Sequence, residues 1–233
     1  VKVSGIMSDE AFLEDMKGSF KHKFAKKPEV IDGNMKALEM ALKEVRKTID
    51  EIDTQMKPLF LQRMECGKHV AEAKAQTGGD VFVLERELEI IEKRAGDVKP
   101  EIQEEYRTFL RHLMSLCRKY EYELLPQMQE KVITAALAAA GLKAETEHSQ
   151  VKIAFTCPKE TSDLNLFLNM TKLNGITVDA LKLITEDGIQ KIVMLLDGKV
   201  TDAAMRCLLC QIGKEADDFQ IVELVNHTRK VGT

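Results

Sequence analysis

The sequence predicts two domains, an all-helical domain followed by a smaller domain of mixed strands and helices. From Leu38 to Ala73 the apolar residues recur at alternating steps of four and three, which is the spacing of one long helix that packs against other helices. Beyond Gly141 the apolar period becomes that of β-strands. We therefore divide the chain into an N-terminal helical arm at 1–35, a helical domain at 36–141 and an α+β domain at 142–233.

The composition excludes several classes of function. Of the 233 residues 44% are hydrophobic and 31% are charged, and the formal net charge is −4. This mild acidity gives no general attraction to nucleic acid or membranes, and 5% aromatic residues without tryptophan argue against a stacking platform for single strands. No run approaches the roughly 20 apolar residues of a membrane span, and residues 1–8 lack a signal core. Because the five cysteines lie in apolar patterns, we expect reduced thiols and a cytoplasmic protein.

The N-terminal arm contains one clear pattern. Its apolar side chains recur every four residues, at Phe12, Met16, Phe20 and Phe24. This spacing predicts a short amphipathic helix, which Pro28 and the pair Asp32-Gly33 are expected to end. The helix either docks on the body of the protein or binds a partner.

Four helices are predicted in the helical domain, at about 34–76, 84–94, 100–124 and 127–140. Pro58 lies inside the first helix, where its missing N–H is expected to cause a bend. Pro100 suits the first turn of the third helix, and Gly141 suits the end of the fourth. The apolar stripe of the third helix is predicted to comprise Ile102, Tyr106, Phe109, Leu113, Cys117 (or Leu116) and Tyr120.

The α+β domain is predicted from the order of its elements. Strands are expected at 151–156, 177–185, 189–196 and 219–224, and helices at 162–173 and 201–213. Asp187-Gly188 is a strong hairpin signal. The order strand-helix-strand-strand-helix-strand is the split βαβ arrangement of ferredoxin-like domains.

Two cations on the long helix indicate a site for an anion. Arg63 occupies a position of the apolar seam, where a buried guanidinium costs several kcal/mol or more unless an anion meets it. Lys74 follows eleven residues later, and at 100° per residue it returns to within about 20° of Arg63. Two cations on one inward face imply a bound dianion. Arg46 points roughly 100° away from Arg63, so a second copy of the chain would have to supply it to the same ligand.

Five short motifs in order carry a resemblance to a known family. They are VRKTIDEID at 45–53, QR at 62–63, VAEAK at 70–74, ERE at 85–87 and MSLCRKYE at 114–121. Together they resemble the all-helical (type II) chorismate mutases, over about 38–124. The resemblance implies an intertwined homodimer, an isomerase that converts chorismate to prephenate in aromatic amino acid biosynthesis, and no cofactor or metal.

The resemblance also implies roles for individual residues. Arg46 would bind a substrate carboxylate in the partner's site, Arg63 a carboxylate in its own subunit, and Lys74 the ether oxygen. Glu87 would take the ring hydroxyl, with Arg86 as a supporting residue. Three positions depart from the family. Where this chain has Val83 the family often has an aspartate, and where it has Cys117 the family often has a small hydroxyl residue. At the position of Glu121 the family usually has a glutamine, which donates to the ether oxygen. An ionised Glu121 would repel the developing charge, so activity should rise as Glu121 takes a proton.

The C-terminal domain resembles the ACT regulatory domains that accompany many enzymes of aromatic amino acid metabolism. Their first loop usually carries Pro-Gly, whereas Pro158 is followed here by Lys159. Feedback by phenylalanine or tyrosine and a simple dimerisation or docking role therefore remain two alternatives for this domain. The alternative for the whole protein is a non-catalytic helical dimer whose second domain senses a small molecule or docks a partner.

Overall fold

The computed structural model describes residues 28–158 and 164–226, with side chains at 35–157 and 164–226. Its elements are α1 (Pro28–Thr77), α2 (Leu84–Ala95), a 3₁₀ turn (Pro100–Ile102), α3 (Gln103–Glu123), α4 (Pro126–Ala139), β1 (Gln150–Pro158), α5 (Leu164–Leu173), β2 (Val178–Glu186), β3 (Ile189–Asp197), α6 (Ala203–Glu215) and β4 (Asp217–Val225). The predicted class, an all-helical part followed by a small α+β part, is confirmed.

The long helix α1 begins earlier than predicted. Pro28 is its first residue, a position where the missing N–H of proline removes no helical hydrogen bond. The pair Asp32-Gly33 was expected, together with Pro28, to end the helix of the N-terminal arm; for Asp32-Gly33 this was wrong, because both residues lie inside α1 and are helical. The helix also continues through Pro58. The helix predicted at Phe12–Phe24 lies outside the described residues.

The first part of α1 carries a row of uncovered apolar side chains. The chain divides into two compact units after Phe60, within α1. Upstream of this point the large apolar side chains of the predicted seam are all exposed, namely Leu38, Leu42, Val45, Ile49, Ile52, Met56 and Leu59. Apolar residues at heptad-like spacing are normally covered by another helix.

The α+β domain is built on a four-stranded antiparallel sheet of order β2-β3-β1-β4. Alternate residues of β1 are buried at Val151, Ile153 and Phe155, and they share one core with residues of α5 and α6. At the β2–β3 turn, Asp187 and Gly188 both have positive φ, at 50° and 76°, which is typical of a type I′ turn. The hairpin predicted here is confirmed.

Helix α6 also packs against the helical domain. Its Cys207 and Cys210 lie in one buried cluster with Tyr122 and Leu125. Burial raises the pKa of both thiols, that of Cys207 to about 11 and that of Cys210 to about 12. Both thiols are therefore protonated at neutral pH, and they pack as small apolar side chains in this cluster. Within the part of the chain that the structure describes, no helix is long and apolar enough to cross a membrane.

Candidate active site

An open cavity of about 270 Å³ lies between the end of α1, the start of α2 and the middle of α3. Its lining comprises Arg63, Cys66, Gly67, Val70, Val81, Glu87, Met114, Cys117, Arg118 and Glu121. All of these residues belong to the unit that begins at Leu61. The cavity therefore combines apolar walls with four charged side chains, two arginines and two glutamates.

Arg63 reaches from α1 to α3. Its guanidinium donates a hydrogen bond to Sγ of Cys117, and this thiol lies 3.5 Å from Sδ of Met64. Burial raises the pKa of the Cys117 thiol, although the charge of Arg63 opposes the shift. Cys117 is therefore a neutral partner, and no carboxylate among the described residues forms an ion pair with Arg63. Its positive charge remains for a ligand in the cavity.

Lys74, eleven residues after Arg63 on α1, contacts α3 one turn beyond Cys117. Its Nζ donates to Oε2 of Glu121 at 3.2 Å and to the carbonyl oxygen of Val81 at 3.1 Å. Glu121 is only 8% exposed. Burial raises the pKa of its carboxyl, and the nearby Lys74 offsets only part of this shift. Cys117 and Glu121 are four residues apart on a helix, so Arg63 and Lys74 meet the same face of α3.

Glu87 enters the cavity from the first turn of α2. Both of its carboxylate oxygens lie 2.5 Å from Nη1 of Arg118, whose guanidinium also lies 4.8 Å from the ring centroid of Phe82. Arg118 is 4% exposed and binds Glu215 through its other nitrogens. Burial disfavours the charged guanidinium, but Glu215 and Glu87 outweigh this effect and raise the pKa of Arg118.

Four of the sequence-predicted residues do not line the cavity, and one of them, Lys74, is connected to it by its hydrogen bond to Glu121. Arg46 lies upstream of Phe60 and is exposed. Arg86 and Val83 are exposed as well. Val83 affects the site through its backbone. Its carbonyl oxygen accepts a hydrogen bond from the N–H of Glu87 at 3.2 Å, which is the first hydrogen bond of α2.

Sequence reasoning missed Arg118. The residue directly follows Cys117 within the motif at 114–121, yet a single arginine on a helix usually reaches solvent. Its burial depends on Glu215, which lies 97 residues further along the chain. The described residues contain no cluster of His, Cys, Asp or Glu that could hold a metal ion.

The comparisons agree with this geometry. Residues 45–122 match the family model described as chorismate mutase type II, and the match contains every cavity-lining residue. No curated protein and no solved structure matches the chain. The C-terminal sheet with its two helices is consistent with an ACT-like domain. Residues 45–122 of this chain are therefore similar to the type II chorismate mutases, a family of isomerases.

Proposed function

We propose that this protein converts chorismate to prephenate, a step of aromatic amino acid biosynthesis. The observation that carries the proposal is that Arg63 and Glu87 line one cavity and that Lys74 hydrogen-bonds to Glu121, which lines the same cavity. Arg63, Lys74 and Glu87 come from three separate motifs of the matched segment. This convergence supplies both charge and directed hydrogen bonds to a small dianion.

The residue types suit this reaction. The rearrangement is intramolecular, so the protein needs no nucleophile and no external base; it must hold the folded conformer and stabilise the negative charge that develops on the ether oxygen. Arg63 has a planar fork that fits a carboxylate. Lys74 donates to the ether oxygen, and Glu87 accepts from the ring hydroxyl. Glu121 lies 3.2 Å from the ammonium of Lys74, so in its protonated form it is the second donor to the same oxygen.

A second copy of the chain completes this proposal. Arg46 is exposed on the part of α1 that carries the uncovered apolar row Leu38–Leu59. Two such helices from a homodimer would bury this row, and the partner's arginine would then bind the second carboxylate of chorismate. The dimer thus accounts for the apolar surface and for the missing cation.

We also propose a separate role for each of the two domains. Residues 36–141 carry the catalytic site, and residues 142–233 form an ACT-like domain that binds an aromatic amino acid and regulates activity. With five free thiols, we place the protein in the cytoplasm, where thiols stay reduced.

The test is the loss of chorismate absorbance with purified protein. The wild type should consume chorismate, and Lys74→Ala should lower kcat by at least about 10², the usual cost of losing one preorganised donor. Lys68→Ala is the matched control, because Lys68 lies on the same helix and forms an ion pair only with its neighbour Glu65 among the described residues. A wild type that leaves chorismate unchanged would favour the alternative, a non-catalytic helical dimer with a sensor or docking domain.

A further inference from the structure

A buried chain of charges links the C-terminal domain to the cavity. Arg118 of α3 binds Glu215, the last residue of α6, through two parallel hydrogen bonds of 2.8 Å from Nε and 2.6 Å from Nη2. Its Nη1 lies 2.5 Å from each oxygen of Glu87. One guanidinium therefore fixes two carboxylates, one in each domain.

Glu215 is held more firmly than a surface carboxylate. Its side chain is 2% exposed, and it lies at the C-terminal end of a helix, where the helix dipole disfavours negative charge. Gln211, one turn earlier on α6, donates to Oε1 of Glu215 at 3.1 Å and to the carbonyl oxygen of Ser115 at 3.3 Å. A bidentate arginine pair in such surroundings has one favoured geometry, so Glu215 determines where the guanidinium of Arg118 lies.

The orientation of Glu87 then depends on Arg118. The side chain of Glu87 is 20% exposed and lines the cavity, where nothing but Arg118 forms an ion pair with it among the described residues. Without Glu215, the guanidinium of Arg118 would lose this fixed orientation, and the carboxylate of Glu87 would move with it. A shift of about 1 Å at a substrate-binding group is enough to impair a site.

We propose that Glu215, acting through Arg118, positions the carboxylate of Glu87 for the substrate, so that the C-terminal domain supplies a positioning residue to the active site. This inference rests on the proposed function, because the role of Glu87 toward the ring hydroxyl belongs to it.

Two other ion pairs between α6 and the helical domain serve as internal comparisons. Arg206 binds Glu130 of α4 at 2.5 Å, and Lys214 binds Asp80 at 2.6 Å. The carboxylates of both pairs are more than 60% exposed, and exposed pairs contribute little to stability. Neither pair touches Glu87. Glu130→Gln is therefore a matched control that removes an ion pair from the same domain contact.

The experiment is a double-mutant cycle on the full chain with steady-state chorismate kinetics. Glu215→Gln should raise KM about tenfold, since a displaced charged partner costs about 1.4 kcal/mol of binding or more, and Glu130→Gln should leave KM unchanged. In the Glu87→Gln background, Glu215→Gln should change KM less than about twofold, because residues that act through one another are not additive. A merely structural role would instead lower the folded fraction and hence kcat, at unchanged KM.

The outcomes separate the two proposals. A wild type without activity overturns the proposed function, and with it this inference. An active wild type in which the two substitutions raise KM additively, or in which Glu130→Gln raises KM as much as Glu215→Gln, overturns the positioning role alone. Arg118→Lys provides a second variant that keeps the buried charge but loses the fork; its KM should rise as in Glu215→Gln, and this rise should also vanish in the Glu87→Gln background.

Discussion

At the scale of single residues, the pair of Lys74 and Glu121 decides how well the cavity stabilises an oxygen that gains negative charge. The two groups are 3.2 Å apart and are the members of the site assigned to the ether oxygen. Lys74 donates in its charged form, whereas Glu121 donates only when it is protonated. The ionised form of Glu121 would repel the transition state and would also compete with the substrate for Lys74.

This pair predicts an acidic optimum. Burial raises the pKa of Glu121 above its ordinary value, so the carboxyl is ionised above that raised pKa and protonated below it. The value of kcat should therefore increase as pH falls through the raised pKa, and Glu121→Gln, which donates at every pH, should remove the increase. The measurement is kcat against pH for both proteins. Flat profiles in both would contradict the role of Glu121.

The sequence predicted contacts of the site between residues that lie close together in the chain, but not between residues that lie far apart in it. The eleven-residue spacing of Arg63 and Lys74 predicted a common face, and both side chains do reach α3. The spacing was informative because a single helix fixes the angle between its own residues. Arg118 was missed because its partner Glu215 is 97 positions away, and only the tertiary fold brings such residues together.

At the scale of elements, one glycine sets how closely α6 approaches its neighbours. A Cβ atom at Gly213 would lie 2.9 Å from Cγ1 of Val132 in α4 and 2.9 Å from Cδ1 of Phe219 in β4. These distances are shorter than van der Waals contact, so the side chain of any other residue would push α6 away. Since Glu215 follows two residues later, this close approach also holds the end of α6 against α3.

The same substitution should therefore have opposite effects at two glycines. Gly213→Ala should destabilise the protein by about 1–3 kcal/mol, the usual cost of overpacking. Gly67→Ala in α1 meets nothing closer than 3.9 Å, so the higher helix propensity of alanine should stabilise the protein by roughly 0.5–1 kcal/mol. Denaturant unfolding of both variants measures the two free energies. Equal losses would mean that the packing around Gly213 does not limit α6.

Element boundaries were predictable where one local signal dominated. The turn at Asp187-Gly188 and the start of α4 beside Pro126 follow from residues that permit few backbone conformations. The apolar stripe of α3 was partly wrong: Ile102 and Phe109 are exposed, whereas Leu110, Met114 and Arg118 are buried. Helix α3 has apolar residues on more than one face, and its inward face carries the charges of the site, so hydrophobicity alone did not identify it.

At the scale of the whole molecule, the uncovered apolar row on α1 predicts that assembly and activity are coupled. Ile49→Glu places a charge within this row, so it should produce a monomer and abolish activity because the partner's Arg46 is lost. Thr48→Glu, at an exposed neighbouring position outside the row, should leave the assembly intact. Light scattering coupled to gel filtration, followed by the chorismate assay, measures both properties. A wild type that is monomeric and fully active would remove the homodimer from the proposed mechanism.

The link between Glu215 and the cavity predicts that an amino acid bound to the C-terminal domain and a substrate bound in the cavity affect each other. If phenylalanine or tyrosine binds this domain and shifts α6, it should change KM through Arg118 and Glu87, and the substrate should change the affinity for the amino acid by the same factor. Calorimetric titration combined with kinetics should then show heat and a change in KM for the wild type, but heat alone for Glu215→Gln. Glu130→Gln should behave as the wild type, since its ion pair does not touch Glu87. Neither heat nor a change in KM with either amino acid would exclude feedback and leave a dimerisation or docking role for the domain.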